Sequence, residues 1–584
     1  MSGAVFVPRE RRSHPGLALA LAGGLALYAG LAIVSARQKS ATFDEGAHLP
    51  AGFTYLALGD HRLNPEQPPL IKLLAATPLL FLEPKLKTDD EAWATARQWE
   101  FGKRFLYRWN DADQLLFWGR LPVVALGCLL CLAVFSWGRR HYGGPAAVLA
   151  FFLCVLSPDV LAHGQIVTTD LGVALFLFLS VMAFERLLER ATNLRLLLAG
   201  GAVGAALATK FSGLVVLPIL AVLGLVAALG REPMPSDLGW SPTGRWARLG
   251  QVALLLAGVG FLAGIVLWAT YGFRFAISPD PAVREAMRST LAEPRSSLVR
   301  GLAGAAERWA LLPEDYLRGL RFVFRHSEAR PAFLAGRLSE EGFPYYFLAT
   351  LALKTPIPLG LLLLVALLFG RRGPLLGEAF LFLPVLLYVG LTFTRSIDIG
   401  HRHLLPIYPF LFVAAGRAVG VLGRSRAPAA GAVILGALCA WYALGTLRVH
   451  PHYLAYFNEI AGGPRNGYRW LVDSNLDWGQ DLKGLKAYLD ARGIPKIKLS
   501  YFGSADPAYY GIDAEILPGY MAPHPVRVTR EVRRGDIVAV SATNLQGVYL
   551  DPEDRPLMEH FRAQRPLDEV GYSILIYRAD FTWP

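Results

Sequence analysis

LLLAGGAVGAALATKFSGLVVLPILAVLGLVAALG, residues 196–230, is apolar along its whole length and interrupted only at Thr209-Lys210-Phe211-Ser212-Gly213. As one helix its 35 residues would be about 52 Å long at 1.5 Å per residue, too long for a ~30 Å hydrocarbon core even when tilted. Read as one span, it would also turn every later loop to the opposite side and place two arginine pairs, Arg371/Arg372 and Arg424/Arg426, outside. Two short spans, broken at Lys210, keep the positive charge on one side. That reading fixes the topology of everything downstream.

Apolar runs of similar length recur on either side of it. The spans are 16–36, 116–137, 145–162, 170–188, 195–209, 212–230, 250–271, 346–369, 374–393, 403–422 and 428–446, eleven in all, in a chain that is 53% hydrophobic and 18% charged. With a cytoplasmic N-terminus, Arg139 and Arg140, then Arg186, Arg190 and Arg195, then Arg231, Arg245 and Arg248, and finally the two arginine pairs all face the cytoplasm. The stretch 16–36 follows the basic flank Arg9, Arg11 and Arg12 and is longer than a cleavable signal core, so it reads as a retained signal anchor. Two loops, 37–115 and 272–345, fall on the non-cytoplasmic side and are too long to be simple connectors. The first holds an apolar helix, Leu70 to Leu82, and an aromatic stretch with Trp93, Trp99, Phe101, Phe105, Tyr107 and Trp109 that suits a helix at the lipid interface. In the second, Pro313-Glu314-Asp315-Tyr316 opens a helical run.

After 446 the pattern changes. Residues 447–584 form a second, non-cytoplasmic domain, with strands expected at Ile497–Tyr501, Asp536–Ser541 and Tyr572–Tyr577 and a helix at Gly479–Ala491 capped by Asp477, which together make a small α/β unit. The fold class is therefore mainly α, a polytopic membrane protein with a small C-terminal α/β domain. A net charge of +12 does not mark a nucleic-acid binder, because the arginines sit at the ends of apolar spans. Cys128, Cys131, Cys154 and Cys439 all lie inside spans and read as small hydrophobes. Gly200-Gly201-Ala202-Val203-Gly204, also inside a span, reads as close helix packing rather than a nucleotide loop, which argues against a soluble nucleotide-sugar donor.

Just beyond the first span stands Thr42-Phe43-Asp44-Glu45-Gly46-Ala47-His48. By position alone its two carboxylates read as a helix cap. They have company, however: Asn64-Pro65-Glu66-Gln67-Pro68-Pro69-Leu70-Ile71-Lys72 follows in the first outer loop, and His163-Gly164-Gln165-Ile166-Val167-Thr168-Thr169-Asp170 stands at the outer end of the fourth span. In this order and topology the set resembles the protein O-mannosyltransferases and lipid A aminoarabinose transferases, membrane glycosyltransferases of the C-type fold. The resemblance covers residues 16 to about 446. Phe343-Pro344-Tyr345-Tyr346 through Lys354-Thr355-Pro356, Gly400-His401-Arg402-His403-Leu404-Leu405-Pro406 and Asp473-Ser474-Asn475-Leu476-Asp477-Trp478-Gly479-Gln480-Asp481 are similar to bacterial members that use a phospholipid carrier.

The resemblance implies a polyprenyl-phosphate sugar donor, Asp44 as the catalytic carboxylate and Glu45 orienting it or the acceptor. In chemical terms an inverting transfer needs a base for the acceptor's proton and positive charge for the departing phosphate. Gln67 stands where the aminoarabinose transferases carry Lys before Pro-Pro and the mannosyltransferases His, so other cations must serve. The candidates for donor binding are Lys354, about 12 Å into the eighth span; Arg402, between His401 and His403; and Lys72, with Asp170 as the carboxylate beside them. Lys72 and Lys210 also read as snorkelling side chains. His401 and His403 have metal-ligand spacing, but only Asp398 is near to complete a set, so no metal or other cofactor is indicated. The acceptor, whether glycan, lipid or protein, is left open. The Ala-, Leu- and Arg-rich composition suggests a bacterial inner membrane with the site facing outward. The rival readings are a transporter or lipid-carrier flippase without covalent chemistry, and an inactive assembly scaffold.

Overall fold

The computed structural model describes residues 15–230, 234–239, 244–289, 293–294, 296–326, 330–370, 373–392, 398–525 and 527–584. Arg9, Arg11, Arg12, Arg231, Arg371 and Arg372 lie outside them.

The chain is a mainly helical integral membrane protein, and every one of the eleven expected stretches is helical. Among the described residues eight helices are long and apolar enough to cross a membrane, and a ninth crossing results if the bent pair Tyr346–Lys354 and Ile357–Phe369 is one span. Residues 196–230 divide as expected, into Asn193–Leu207 and Phe211–Leu229, with Lys210 extended between them (φ −154°, ψ 143°). The first of the two packs tightly on Arg245–Thr270. A Cβ on Gly204 would fall 2.8 Å from the Ala263 carbonyl oxygen, so only glycine allows the approach.

Two expected spans are not straight, and proline is the reason in both. Pro158 holds Ser157 extended (ψ 122°), so 145–162 becomes Gly144–Val155 followed by the short Pro158–His163. Pro356 does the same to Thr355 (ψ 130°), and the two halves of 346–369 meet at 104°. Lys354 is therefore the last residue before a sharp bend, not a charge part-way along a straight helix.

Two strands in the second outer loop, β1 (Ala332–Leu334) and β2 (Arg337–Ser339), form a hairpin. The C-terminal part carries β3 (Ile497–Ser500), β4 (Ala514–Ile516), β5 (Ile537–Ser541), β6 (Asp568–Val570) and β7 (Ile574–Arg578) in one sheet of order β4-β3-β5-β7-β6. β3 is parallel to β4 and β5, whereas β7 is antiparallel to β5 and β6. The helix before β3 is Leu482–Ala491. Asp477 does not cap it: this side chain is buried and accepts from the Thr543 amide at 2.8 Å.

The aromatic stretch of the first outer loop is not a lipid-facing helix. Trp93, Phe101, Phe105 and Tyr107 are buried in a core shared with Leu482, Leu485 and Tyr501 of the C-terminal part. The sheet domain supplies the second apolar face that the local pattern assigned to lipid. This packing holds the outer loop, the sheet and the outer ends of the helices together around Asp44.

Candidate active site

The segment between the first span and Asp44 is fixed from two sides. Its backbone is stitched to the C-terminal part by Ser40 N to Gln480 O at 3.0 Å and Phe43 N to Trp478 O at 2.8 Å. From inside the bundle, Arg120 on the helix Ala112–Tyr142 donates to the carbonyls of Ala36, Lys39 and Ser40 at 2.6, 3.0 and 2.8 Å. The same guanidinium binds Glu45 in a fork, at 2.8 Å to Oε1 and 2.7 Å to Oε2. Glu45 also accepts from the amides of Thr42 and Val167, each at 2.8 Å. Burial alone would raise its carboxyl, but Arg120 and these amides hold it below the usual range. Glu45 is fully buried, and its oxygens are taken.

Asp44 is placed differently. It stands at the start of the helix Glu45–Leu58, where its carbonyl accepts from Ala47 and His48, yet its side chain makes no capping bond. Instead the carboxylate meets Arg402 Nη1 at 3.1 Å, and it keeps 28% of its side chain accessible. Among the described residues Arg402 is its one side-chain partner. His48, one turn on, bonds Val167 O at 3.0 Å, so the 44–48 and 163–170 segments lie side by side.

Arg402 gathers the charge. Nη1 also reaches Asp170 Oδ2 at 3.4 Å, and the guanidinium lies 4.0 Å over the Trp478 ring. Asp170 is buried and pairs with Lys210 at 2.5 Å, so Lys210 is an ion-pair partner rather than a snorkelling surface side chain. The polar neighbours do not saturate this cluster: Arg402 Nε and His403 Nε2 are buried with no hydrogen-bond partner among the described residues. His403 also lines a cavity of about 70 Å³ with Ser212, Val215, Phe347, Leu391 and Thr392, at the ends of three helices and apolar on most of its wall.

The other candidates lie apart from Asp44. His401 is buried beside Thr350 Oγ1 (3.1 Å) and the Tyr408 hydroxyl (2.6 Å), turned from the carboxylates that Arg402 meets. Lys354 donates to the carbonyls of Leu454 and Asn475 and lies 4.7 Å over Phe457, clamping the bend to the start of the C-terminal part. Lys72 donates to the carbonyls of Asn64 and Gln67, both at 2.7 Å, and to the Tyr55 hydroxyl at 2.9 Å. Burial lowers its ammonium to about 8 against the pull of Asp315 and Glu66.

Sequence reasoning missed Arg120 and undervalued Lys210. Both carried a usable signal, a lone cation within or between apolar runs, which is costly in a membrane unless paired. Neither partner was visible, because Glu45 and Asp170 are distant in sequence.

Residues 113–239 match the model of the dolichyl-phosphate-mannose-protein mannosyltransferase family. No curated protein matches the chain by sequence. Among solved structures, ArnT from Cupriavidus metallidurans bound to undecaprenyl phosphate is similar at 12% identity and a TM-score of 0.45, over 96% of this chain and 97% of that one. The Archaeoglobus fulgidus oligosaccharyltransferase in complex with Zn and sulfate is similar at 12% identity and 0.44, over 93% and 71%. The S. cerevisiae protein O-mannosyltransferase Pmt1-Pmt2 complex bound to the sugar donor is similar at 16% identity and 0.35, over 45% and 34%.

Proposed function

We propose that the protein transfers a sugar from a polyprenyl-phosphate donor to an acceptor on the non-cytoplasmic side of a membrane, with Asp44 as the general base. One observation carries this reading. An accessible carboxylate shares Arg402 with a buried ion pair, Arg402 Nε and His403 Nε2 are buried with no hydrogen-bond partner among the described residues, and His403 lines an apolar cavity. A lipid phosphate suits such a place: its oxygens satisfy the orphaned nitrogens, and its chain extends along the apolar wall.

The chemistry follows from the charges. At rest Asp44 and Asp170 balance Arg402 and Lys210. A phosphate at Arg402 competes with Asp44 for Nη1 and releases the carboxylate. Asp44 then takes the proton of the acceptor's hydroxyl or amine, the acceptor atom bonds to the anomeric carbon, and the bond from that carbon to the phosphate oxygen breaks on the opposite face. The departing phosphate keeps the electron pair, stabilised by Arg402 and Lys210. Glu45 positions Asp44 through Arg120, while Lys354, His401 and Lys72 hold the surrounding segments in place. No cofactor is assigned. The host membrane is a bacterial inner membrane in this reading, with the site facing the periplasm.

The bend of 104° between Tyr346–Lys354 and Ile357–Phe369 is the one feature that favours a transporter, since broken helices mark many substrate pathways. The products separate the two. Purified protein in lipid nanodiscs, given polyprenyl-phosphate sugars extracted from its source membranes together with the envelope extract of the same cells as the supply of acceptor, should release free polyprenyl phosphate, detected by mass spectrometry. Translocation of the intact carrier in proteoliposomes without such release would overturn the transferase reading.

A further inference from the structure

A second cavity, of about 390 Å³, lies between the two outer loops and has no part in the donor site. One wall is built from Asn64, Glu66 and Gln98, which orient each other: Asn64 Nδ2 donates to Glu66 Oε2 at 2.9 Å and to Gln98 Oε1 at 3.2 Å, and Gln98 Nε2 donates to Glu66 Oε1 at 2.6 Å. After these bonds Gln98 keeps one amide hydrogen and Gln98 and Glu66 keep lone pairs, whereas both amide hydrogens of Asn64 are used and its Oδ1 accepts from Lys72 at 3.2 Å. Elsewhere the lining includes Phe322, stacked on His326 with ring centroids 3.8 Å apart. Arg318, also in the lining, has a buried Nη1 with no hydrogen-bond partner among the described residues.

The charge here is close to balanced. Arg62 is held by Asp60, with Nη2 to Oδ2 at 2.7 Å and Nε to Oδ1 at 3.1 Å, and Arg318 is offset by Glu66 in the same lining. Such a wall does not select a phosphate or a fatty chain. Alternating fixed donors and acceptors beside a flat ring, in a concave space of this size, suit the hydroxyls and apolar faces of a sugar.

A helix that borders the cavity also packs beside Asp44. Gln98 opens the helix Gln98–Arg104, and the next residue, Trp99, packs edge-on against Phe43 at 4.9 Å between centroids. Phe43 precedes Asp44. The same helix lies directly on the one that Asp44 begins, so closely that a Cβ on Gly102 would fall 1.9 Å from the Gly46 carbonyl oxygen.

We infer that this cavity is the acceptor subsite and that the acceptor is a neutral saccharide, whose units rest on Asn64, Glu66 and Gln98 while its reacting hydroxyl reaches Asp44 past Trp99. The assignment as acceptor rests on the transferase reading; the binding of saccharide does not. Full-length protein in detergent is to be screened by saturation-transfer NMR against neutral oligosaccharides of glucose, mannose and N-acetylglucosamine, with a serine- and threonine-containing peptide and inorganic phosphate as comparators. At least one oligosaccharide should bind, about tenfold more weakly in Gln98→Ala and Glu66→Ala, the loss expected from one or two hydrogen bonds. Phe322→Ala should weaken it too, and serves if a polar variant does not fold. Binding is read without turnover, which separates this claim from the fate of the general base. No oligosaccharide bound, equal binding in all folded variants of the wall, or preference for the peptide overturns the inference.

Discussion

Asp44 and Glu45 are adjacent carboxylates with opposite surroundings, and under the proposed function the contrast assigns Asp44 as base and Glu45 as brace. Glu45 is enclosed by Arg120 and two amides, whereas Asp44 meets one guanidinium and solvent. The pair itself was legible in the sequence; which member does which was not, because the distinction depends on Arg120, 75 residues further along. Removing one partner of a buried ion pair strands the other charge, at a cost of about 3–5 kcal/mol. Glu45→Gln should therefore lower the thermal unfolding temperature of the detergent-purified protein markedly, with Asp44→Asn close to wild type. Equal melting of all three would remove Glu45 from its bracing role.

At the scale of elements, helices were readable from their apolar runs, and their breaks were readable only in part. Thr355-Pro356 and Ser157-Pro158 each carry the steric reason for a break, but the apolar pattern runs through both and hides the bend of 104°. The aromatic residues of 93–109 misled in a different way. An apolar face shows that something covers it, not whether the cover is lipid or, as here, the sheet domain. The junction of that domain also contains an unusual acid. Burial, with Asp481 adding to it, pushes the Asp477 carboxyl up to about 8 despite bonds from Thr543, and its Oδ1 has no partner among the described residues. A carboxyl that ionises near 3.9 when unfolded and near 8 when folded binds more protons in the folded state throughout that interval, so stability falls as pH rises across it. Below the interval both states are protonated, the stability is fully present and it no longer changes with pH. Asp477→Asn should flatten the decline in melting temperature between about pH 4 and 8; an unchanged slope would show that another group is responsible.

For the whole molecule, the two long loops, the sheet and the adjoining helix ends are held around Asp44, where the proposed transfer would bring an acceptor and a lipid-borne donor together. Asp44 stands there because three separate parts of the chain are tied to the segment that carries it: Trp478 and Gln480 from the C-terminal part, Arg120 from the bundle and Val167 from the loop before Asp170. In the proposed orientation the arginine-rich short loops face the cytoplasm and the C-terminal part faces away from it. A cysteine introduced at the exposed Ala563 of the C-terminal part should accordingly react with an impermeant thiol reagent in intact spheroplasts, and labelling only after lysis would invert the topology. The most direct test of the central claim is the rate of sugar transfer by purified Asp44→Asn, supplied with the donor fraction that wild type consumes. Asn keeps the shape and loses the base, so transfer should fall by roughly 10² to 10⁴ while binding of polyprenyl phosphate and the melting temperature stay near wild type. Transfer at the wild-type rate would contradict the account.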